Sequence, residues 1–551
     1  MTAPPLLIHA LRAPGRRTRT RAREQSCARI GLVKLAALAV LGLVPLFGGA
    51  QSGPMPQPQE ISFTVTRFEV TGENPLSAST TDETLKPYLG VQHGLAGLES
   101  ARRALDSALR NAGYSLYRVT LPPQTTVNVI RLVVTRILLT GLETTGQKYF
   151  SSANILAGVP ALAVGQSPDM REVARQLEIV NDNPDKHVTL GLKESDSGDG
   201  IVGTLETSDR NPLSFTAGYN NTGLDDQGGR SRIAGYLQYG NLFDLDQSIG
   251  VAYTTSPNDP SQVKQYGVYY RAPIYSWGGV VTASHSYSSV STGALGGGTV
   301  ITGAGTTTGL AYTEYLYPVG NYKSSISLGV DDKLYESPVI DGISVPGGDV
   351  RSRPVSLTYV ATYQPNWGSL TYNVEYDKNL GSGASDTDAA YAANRAGATR
   401  DWDALRLYSS FSMPLVGGWS TAAILHGQYA TQPLIAGEQF ALGGAQSIRG
   451  AEERAVTGDS GASVSLEIYT PELAENLRLL AFSDNGYLIR HDVQPGETGH
   501  ETLESVGLGL RWSYQRSAQL ALDYGYITKG ARYPSVPAGT SRVHVNLTYT
   551  Y

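Results

Sequence analysis

Three regimes of hydrophobic and polar patterning divide the chain. Leu35–Phe47 is one unbroken apolar run; Ile61 to about Ser208 alternates helical and strand periods; from Leu213 onward polar and apolar residues alternate nearly one for one. In the middle regime Ser62–Val70 reads as a strand and Thr81–Leu89 as a short helix with Asp82 and Glu83 in its first turn. Leu98–Asn111 reads as an amphipathic helix, with Leu98, Ala101, Leu105 and Leu109 at helical spacing. Tyr114–Leu121 and Val127–Leu139 follow as strands. A second unit begins near Arg136: Ile137–Leu139 opens it, Ser151–Ala157 and Asp169–Ile179 are its helices, and His187–Leu192 and Ile201–Thr207 its strands. Both units are therefore expected to run β-α-α-β-β, over 61–135 and 136–210.

No helical period returns after Leu213. Sixteen alternating segments begin near Leu213, Arg230, Ser248, Gln265, Val280, Thr308, Ser324, Arg353, Ser369, Trp402, Ser420, Ala462, Leu477, Leu503, Ala518 and Arg542. Connections after even-numbered segments are short, such as Asn241–Asp246. Those after odd-numbered segments are mostly long and rich in Gly, Ser, Asp and Pro, such as Lys378–Arg400 and Thr431–Gly461. An even strand count with short turns at one end and long loops at the other is the layout of an outer-membrane β-barrel. The last segment alternates most cleanly: Val543, Val545, Leu547, Tyr549 and Tyr551 share one face, and His544, Asn546, Thr548 and Thr550 the other. One face then meets lipid and the other a wet lumen, and closure removes the unpaired edges that lipid cannot hydrate. A soluble β-sandwich is the alternative, but it accounts for neither the loop alternation nor the aromatic C-terminus.

Composition sharpens this picture. The 551 residues include 62 Gly, 33 Tyr against 9 Phe, and only 17% charged residues, where a globular domain carries roughly 25%. A coiled coil, a disordered tail and a helical membrane protein are excluded. The Tyr excess suits rings that sit at the lipid–water boundary. Residues 1–34 are rich in Arg, the run Leu35–Phe47 follows, and Gly48-Gly49-Ala50 supply small residues. That order marks a secretory signal peptide over 1–50, with cleavage expected after Ala50 and a linker over 51–60; an uncleaved anchor is the alternative. Residues 1–50 hold eight Lys/Arg and one Asp/Glu, so the remainder has 35 positive and 48 negative side chains, net −13. Cys27 leaves with them. An acidic, cysteine-free exported chain is a poor nucleic-acid binder.

Several short motifs then resemble one family. Ala112-Gly113-Tyr114, Leu121-Pro122-Pro123-Gln124 and Asn181-Asp182-Asn183-Pro184 are similar to family signatures of the small domains. Asn220-Asn221-Thr222-Gly223, Asn241-Leu242-Phe243 and Tyr270 with Pro273 are similar to early-strand signatures. The stronger pair is Gly443-Gly444 followed by Ser447-Ile448-Arg449-Gly450, and Phe482-Ser483-Asp484-Asn485-Gly486. The first looks like the VRGY/F tip of a sixth extracellular loop, the second like an FxDxG strand motif. Over roughly residues 60–551 the chain resembles the two-partner-secretion transporters, the TpsB group of haemolysin and filamentous-haemagglutinin secretion-activation proteins (ShlB/FhaC/HecB type).

The resemblance implies a mixed fold: two POTRA domains, then a 16-stranded antiparallel transmembrane barrel over 211–551 with loop 431–461 folded inside it. It implies an outer-membrane transporter of the type V, two-partner route. Periplasmic POTRA domains would capture a large unfolded partner, adhesin- or cytolysin-like, and the barrel would export it without ATP. It implies that Arg449 meets Asp484, with Gly443, Gly444, Ser447, Ile448 and Gly450 forming the tip and Phe482 and Gly486 flanking the strand carboxylate. Phe482 and Asp484 are two apart on one strand and so share a face, and Arg can grip a carboxylate through two hydrogen bonds. Val545, Leu547, Tyr549 and Tyr551 are expected to be the C-terminal signal read by the barrel-assembly machinery, with membrane lipid as the other partner. No enzyme activity and no cofactor or metal is expected. Alternatives are an assembly factor for other barrels, or a diffusion porin. The sequence departs from the pattern at Ala451, where relatives carry an aromatic residue, and it leaves little room before Ile61 for a plug helix.

Other motifs are weaker. Ser460 in Gly458-Asp459-Ser460-Gly461 has no positioned base, so loop-to-strand entry is the better reading than a protease. His426, His491, His500 and His544 have no metal-ligand spacing and are expected to be structural or solvated. Leu295-Gly296-Gly297-Gly298 precedes no helix and is no phosphate loop.

Overall fold

A computed structural model describes residues 62–551 apart from 126–127, 199, 291–292, 296–298, 302, 338, 341–342, 345–347 and 516. The expected signal peptide with Cys27, the expected linker and Gly296–Gly298 lie outside the described residues.

The first small domain contains β1 (Ser62–Val65), β2 (Arg67–Gly72), α1 (Ala78–Leu85), β3 (Gly90–His93), α2 (Ala96–Asn111), β4 (Tyr117–Thr120) and β5 (Val129–Arg136). Its sheet has the order β2-β5-β4, with β2 parallel and β4 antiparallel to β5, and β1 pairs with β3. Helix α2 buries Leu98, Ala101, Leu105 and Leu109, the residues its periodicity singles out. Three expectations need correction. Ser62–Val70 is two strands rather than one: β1 pairs with β3, whereas β2 joins β5. Helix α1 starts at Ala78 because the Ser77 hydroxyl accepts the Thr80 N–H at 3.1 Å and caps it. Asp82 and Glu83 therefore lie beyond the first turn. The four-residue strand β3 was not expected, being too short to show alternation.

The second domain contains β6 (Leu139–Thr145), α3 (Ser152–Ala157), α4 (Met170–Asn181), β7 (Lys186–Glu194) and β8 (Ile201–Asp209), with sheet order β6-β8-β7. Ser151 and Asp169 are N-caps of the two helices rather than their first residues. Leu139, Phe150, Ile155, Val173, Val180, Val188 and Leu205 form its core. The two domains meet where the Met170 N–H donates to the Gly113 carbonyl at 2.9 Å.

The barrel closes with sixteen antiparallel strands: β9 (Leu213–Asn220), β10 (Arg232–Leu242), β11 (Gln247–Thr255), β12 (Lys264–Ile274), β13 (Gly279–Ser288), β14 (Gly305–Tyr315), β15 (Tyr322–Tyr335), β16 (in two pieces, Val350–Ser352 and Pro354–Tyr363), β17 (Ser369–Asn379), β18 (Asp403–Pro414), β19 (Ser420–Tyr429), β20 (Ser460–Tyr469), β21 (Leu477–Ile489), β22 (His500–Tyr514), β23 (Ala518–Lys529) and β24 (Ser541–Thr550). Every strand starts within three residues of a segment singled out by alternation. β24 pairs back onto β9, from Asn546 opposite Asn220 to Thr550 opposite Thr216. The Asn221 amide extends that seam, donating to the Val543 carbonyl at 2.7 Å and accepting the Val545 N–H at 2.9 Å. Leu237, Val251, Leu310, Leu328, Leu466, Leu508 and Leu547 are exposed on the outer face, as lipid requires, and so are Tyr253, Tyr524 and Tyr549.

The second domain docks on the short-turn end of the barrel through motif residues. Asp182 accepts hydrogen bonds from Arg271 at 2.9 Å and the Tyr315 hydroxyl at 2.8 Å, and Asn183 donates to the Gly240 carbonyl at 2.8 Å. Lys186, fully buried, pairs with Asp246 at 2.5 Å and donates to Asn154 at 2.8 Å. Burial pushes the Lys186 ammonium below its ordinary value, and Asp246 opposes that shift. At the other end, helix α5 (Asp388–Asn394) and Trp402 pack with Leu434 and Ile435 into a buried cluster over the barrel mouth.

Candidate functional site

The long connection between β19 and β20 folds into the barrel as a hairpin, Phe440–Leu442 pairing with Val456–Gly458. Its arms open into the tip at Gly443 and Gly444, with φ of +108° and +102°, a region that favours glycine. Ile448 is fully buried beside Leu442, Ala451, Val456, Leu488, Leu503 and Ile527, so an apolar cluster glues the tip to the wall. The Ser447 N–H bonds back to the Gly444 carbonyl at 3.2 Å and holds the turn.

Arg449 follows and reaches the wall. Its Nε donates to Asp484 Oδ2 at 2.8 Å and its Nη2 to Asp484 Oδ1 at 2.7 Å, the two-bond grip anticipated for this pair. Its main-chain N–H also bonds Asp484 at 3.0 Å. Nη1 donates to Glu467 at 2.7 Å and lies 3.7 Å from Asp523, while Nη2 also donates to the Ser465 hydroxyl at 2.8 Å. Register explains the clustering: Ser465 lies directly opposite Asp484, and Glu467 opposite Phe482, on neighbouring strands. Arg511 pairs with Asp523 at 2.8 Å and completes a network of two cations and three carboxylates. Arg449 and Asp484 are 3% and 0% exposed; at that depth hydrogen bonding and counter-charge must repay desolvation.

The guanidinium also lies over the Phe482 ring, 3.4 Å from its centre. Phe482 and Asp484 thus do share one face. Ala451, where relatives carry an aromatic residue, is buried in the apolar cluster.

Gly450 and the wall are matched in a different way. Its N–H donates to His544 Nε2 at 3.0 Å. A Cβ on Gly525 would sit 2.4 Å from the Arg449 carbonyl carbon and 2.5 Å from the Gly450 nitrogen. A Cβ on Gly486 would meet Leu442 at 2.5 Å, and one on Gly507 would meet Phe482 at 2.2 Å. Gly525 and Gly486 therefore make room for the hairpin, and Gly507 for the Phe482 ring beneath Arg449. Glu467, Asp523, Arg511, His544 and Gly525 were not anticipated as site residues. The sequence shows only that they are charges and glycines on strands near the FxDxG motif; the strand register that brings them together is not visible in it. His544 belongs to the tip's seat, whereas His426 packs on Tyr408 at 5.1 Å and the His491 ring bonds the Ala430 carbonyl at 2.9 Å. Asp459 is buried and accepts the Leu434 and His491 N–H groups at 2.8 and 2.7 Å. Ser460 hydrogen-bonds the Ala430 backbone, so this segment braces the loop base. Val545, Leu547, Tyr549 and Tyr551 lie at the seam strand and the residue after it, with Leu547, Tyr549 and Tyr551 exposed.

The family model described as haemolysin secretion/activation protein ShlB/FhaC/HecB matches residues 202–512. The chain belongs to this family. A second model, a POTRA domain of ShlB type, matches residues 63–136. Among curated proteins, the outer membrane transporter CdiB of Dickeya dadantii (strain 3937) is 25% identical over 374 residues, covering 64% of this chain and 64% of the relative, just under two thirds of its length. CdiB of Escherichia coli O6:K15:H31 is 21% identical over 468 residues, 81% of this chain and 76% of the relative. Among solved structures, CdiB from Escherichia coli superposes with a TM-score of 0.76 at 18% identity, covering 92% of this chain and 93% of that one. CdiB from Acinetobacter baumannii gives 0.69 at 17% identity, covering 89% and 90%. This member of the ShlB/FhaC/HecB family is thus an outer-membrane barrel of the two-partner-secretion type, with its POTRA domains in the periplasm.

Proposed function

We propose that the protein captures an unfolded secreted partner in the periplasm at the open edges of its POTRA sheets and exports it through the barrel to the cell surface. The observation that carries this reading is the hairpin seated inside the lumen with its tip held by the cluster around Arg449. A route for one chain needs a loop held in one position for that chain to engage and displace. The site residues of tip and strand are on this reading the parts of that gate.

Capture has a physical basis in the small domains. Among the described residues β4 and β7 pair on one side only. A cleft of about 650 Å³ separates β4 from α2 and is lined by Glu99, Arg102, Asp106 and Arg118. A cleft of about 380 Å³ separates β7 from α4 and is lined by Met170, Val173, Leu177, Val188 and Leu190. An added strand gains main-chain hydrogen bonds whatever its sequence, while the clefts select side chains. The Asn181 amide already imitates such a strand, donating to the Val188 carbonyl at 2.9 Å and accepting its N–H at 2.7 Å. Folding of the exported partner outside the cell then supplies direction. Leu192 shares the outward register of Val188, and proline there removes an edge donor without touching the ladder to β8. Leu192→Pro is expected to lower export of a co-produced large secreted partner while barrel assembly stays normal; undiminished export would overturn capture at this edge.

A further inference from the structure

The hairpin carries a second buried ionic cluster, at its base and on a different part of the wall. Glu438 precedes the descending arm and is 3% exposed. Its carboxylate accepts from Lys333 Nζ at 3.1 and 3.4 Å, from the Tyr335 hydroxyl at 2.9 Å and from Arg406 Nη2 at 2.9 Å. Its main-chain carbonyl accepts from Gln428 Nε2 at 2.9 Å, and that amide's oxygen accepts from Arg406 Nε at 2.9 Å. Arg406 is also bonded to Asp377. These partners sit on β15, β17, β18 and β19. The partners of Arg449 and Gly450 sit on β20, β21, β23 and β24. The loop therefore runs from one half of the wall to the other, with a charge-paired anchor at each end.

We propose that Glu438 is a positioning residue, the second anchor of the luminal loop, and that the lumen clears only when the base and tip anchors are both released. A hairpin fixed at one end still occupies the lumen, because the intact anchor keeps that arm against its own half of the wall. The two clusters share no residue, so either can be broken alone. The base anchor also sits beneath the cap formed by α5, Trp402, Leu434 and Ile435, which places its release on the extracellular side and that of the tip deeper in the lumen. This proposal deepens the export reading and rests on it for its purpose, while its test needs no partner.

The test uses the full chain with its single cysteine changed, Cys27→Ser, and one reporter at a time: Ile435→Cys at the base, 1% exposed, or Ala451→Cys at the tip, 3% exposed. Purified barrels, checked for heat-modifiable gel mobility, are treated with a soluble maleimide, and channel openings are recorded in planar bilayers. Glu438→Gln is expected to speed labelling at Ile435→Cys by tenfold or more and leave Ala451→Cys protected; Arg449→Ala is expected to do the reverse. The double variant is expected to label at both positions and to open far more often than the two single variants together. Parental labelling at Ile435→Cys in Glu438→Gln, or openings in the double variant that merely sum the single effects, would overturn the proposal. Should Glu438→Gln fail to give a heat-modifiable barrel, Lys333→Gln, which removes one of the two cations from the same carboxylate, is held to the same outcomes. Failed export by the parent chain, with the labelling pattern intact, would count against the export reading and not against the anchor.

Discussion

Arg449→Ala tests the tip anchor by removing its cation while leaving the ladder of the wall untouched. The substitution deletes the two bonds to Asp484, the bond to Glu467 and the bond to Ser465. Asp484 and Glu467 are then buried beside Asp523 with Arg511 as the cluster's remaining cation. Breaking a buried pair by removing one partner costs about 3–5 kcal/mol. What still holds the tip is chiefly the burial of Ile448, worth roughly 1.5–3 kcal/mol. The loss exceeds the remainder, so the docked state gives way, and at ~1.4 kcal/mol per decade the docked-to-undocked ratio falls by about two to three and a half decades. Arg449→Lys keeps the charge but cannot fork to Asp484 and also reach Glu467, and is expected to lie nearer the alanine variant than the parent. The assay is solvent labelling at the tip together with the channel record. A tip in Arg449→Ala as protected as in the parent, in a correctly folded barrel, would refute the reasoning.

Gly525→Ala places a methyl group against the Arg449 and Gly450 backbone and is expected to loosen the tip by about 1–3 kcal/mol, read as intermediate labelling; parental labelling would contradict the close fit at Gly525. Lys186→Met leaves Asp246 buried with Tyr275 as its remaining side-chain donor and is expected to loosen the POTRA–barrel joint, read as faster protease cleavage between Asp209 and Leu213, with Lys186→Met/Asp246→Asn recovering much of the loss. Burial alone would raise Asp209, but the N–H groups of Tyr149, Lys148 and Phe150 outweigh it and hold the carboxyl below its ordinary 3.8. Its stabilisation is thus complete above 3.8 and fades as pH falls toward the lower folded value. Protection factors for hydrogen exchange at Lys148–Phe150, corrected for the intrinsic pH dependence of exchange, are expected to fall on acidification through that window, and Asp209→Asn to remove that fall.

The barrel was legible because a wall between lipid and water forces period-two alternation on every strand, and the turn and loop lengths then count the strands. The Arg449–Asp484 pair was legible because its two motifs are local in sequence. Its neighbours were not, since Glu467, Asp523, His544 and Gly525 converge only through the register of five strands. The short strand β3 was hidden by its length. The start of α1 was misplaced because the cap at Ser77 outranks the acidic pair that suggested a later start. Glu438 carries no such signal, because nothing near it in sequence shows that Lys333 and Arg406 will meet it.

The central claim is that a loop tied at Arg449 gates the passage of a secreted partner. It is tested most directly by producing the chain together with a candidate large secreted protein from the same genome and measuring partner delivered to the cell surface and medium. The parent chain is expected to deliver the partner. Arg449→Ala, present in the outer membrane at the parental level, is expected to deliver little or none. Equal delivery by the two would contradict the account.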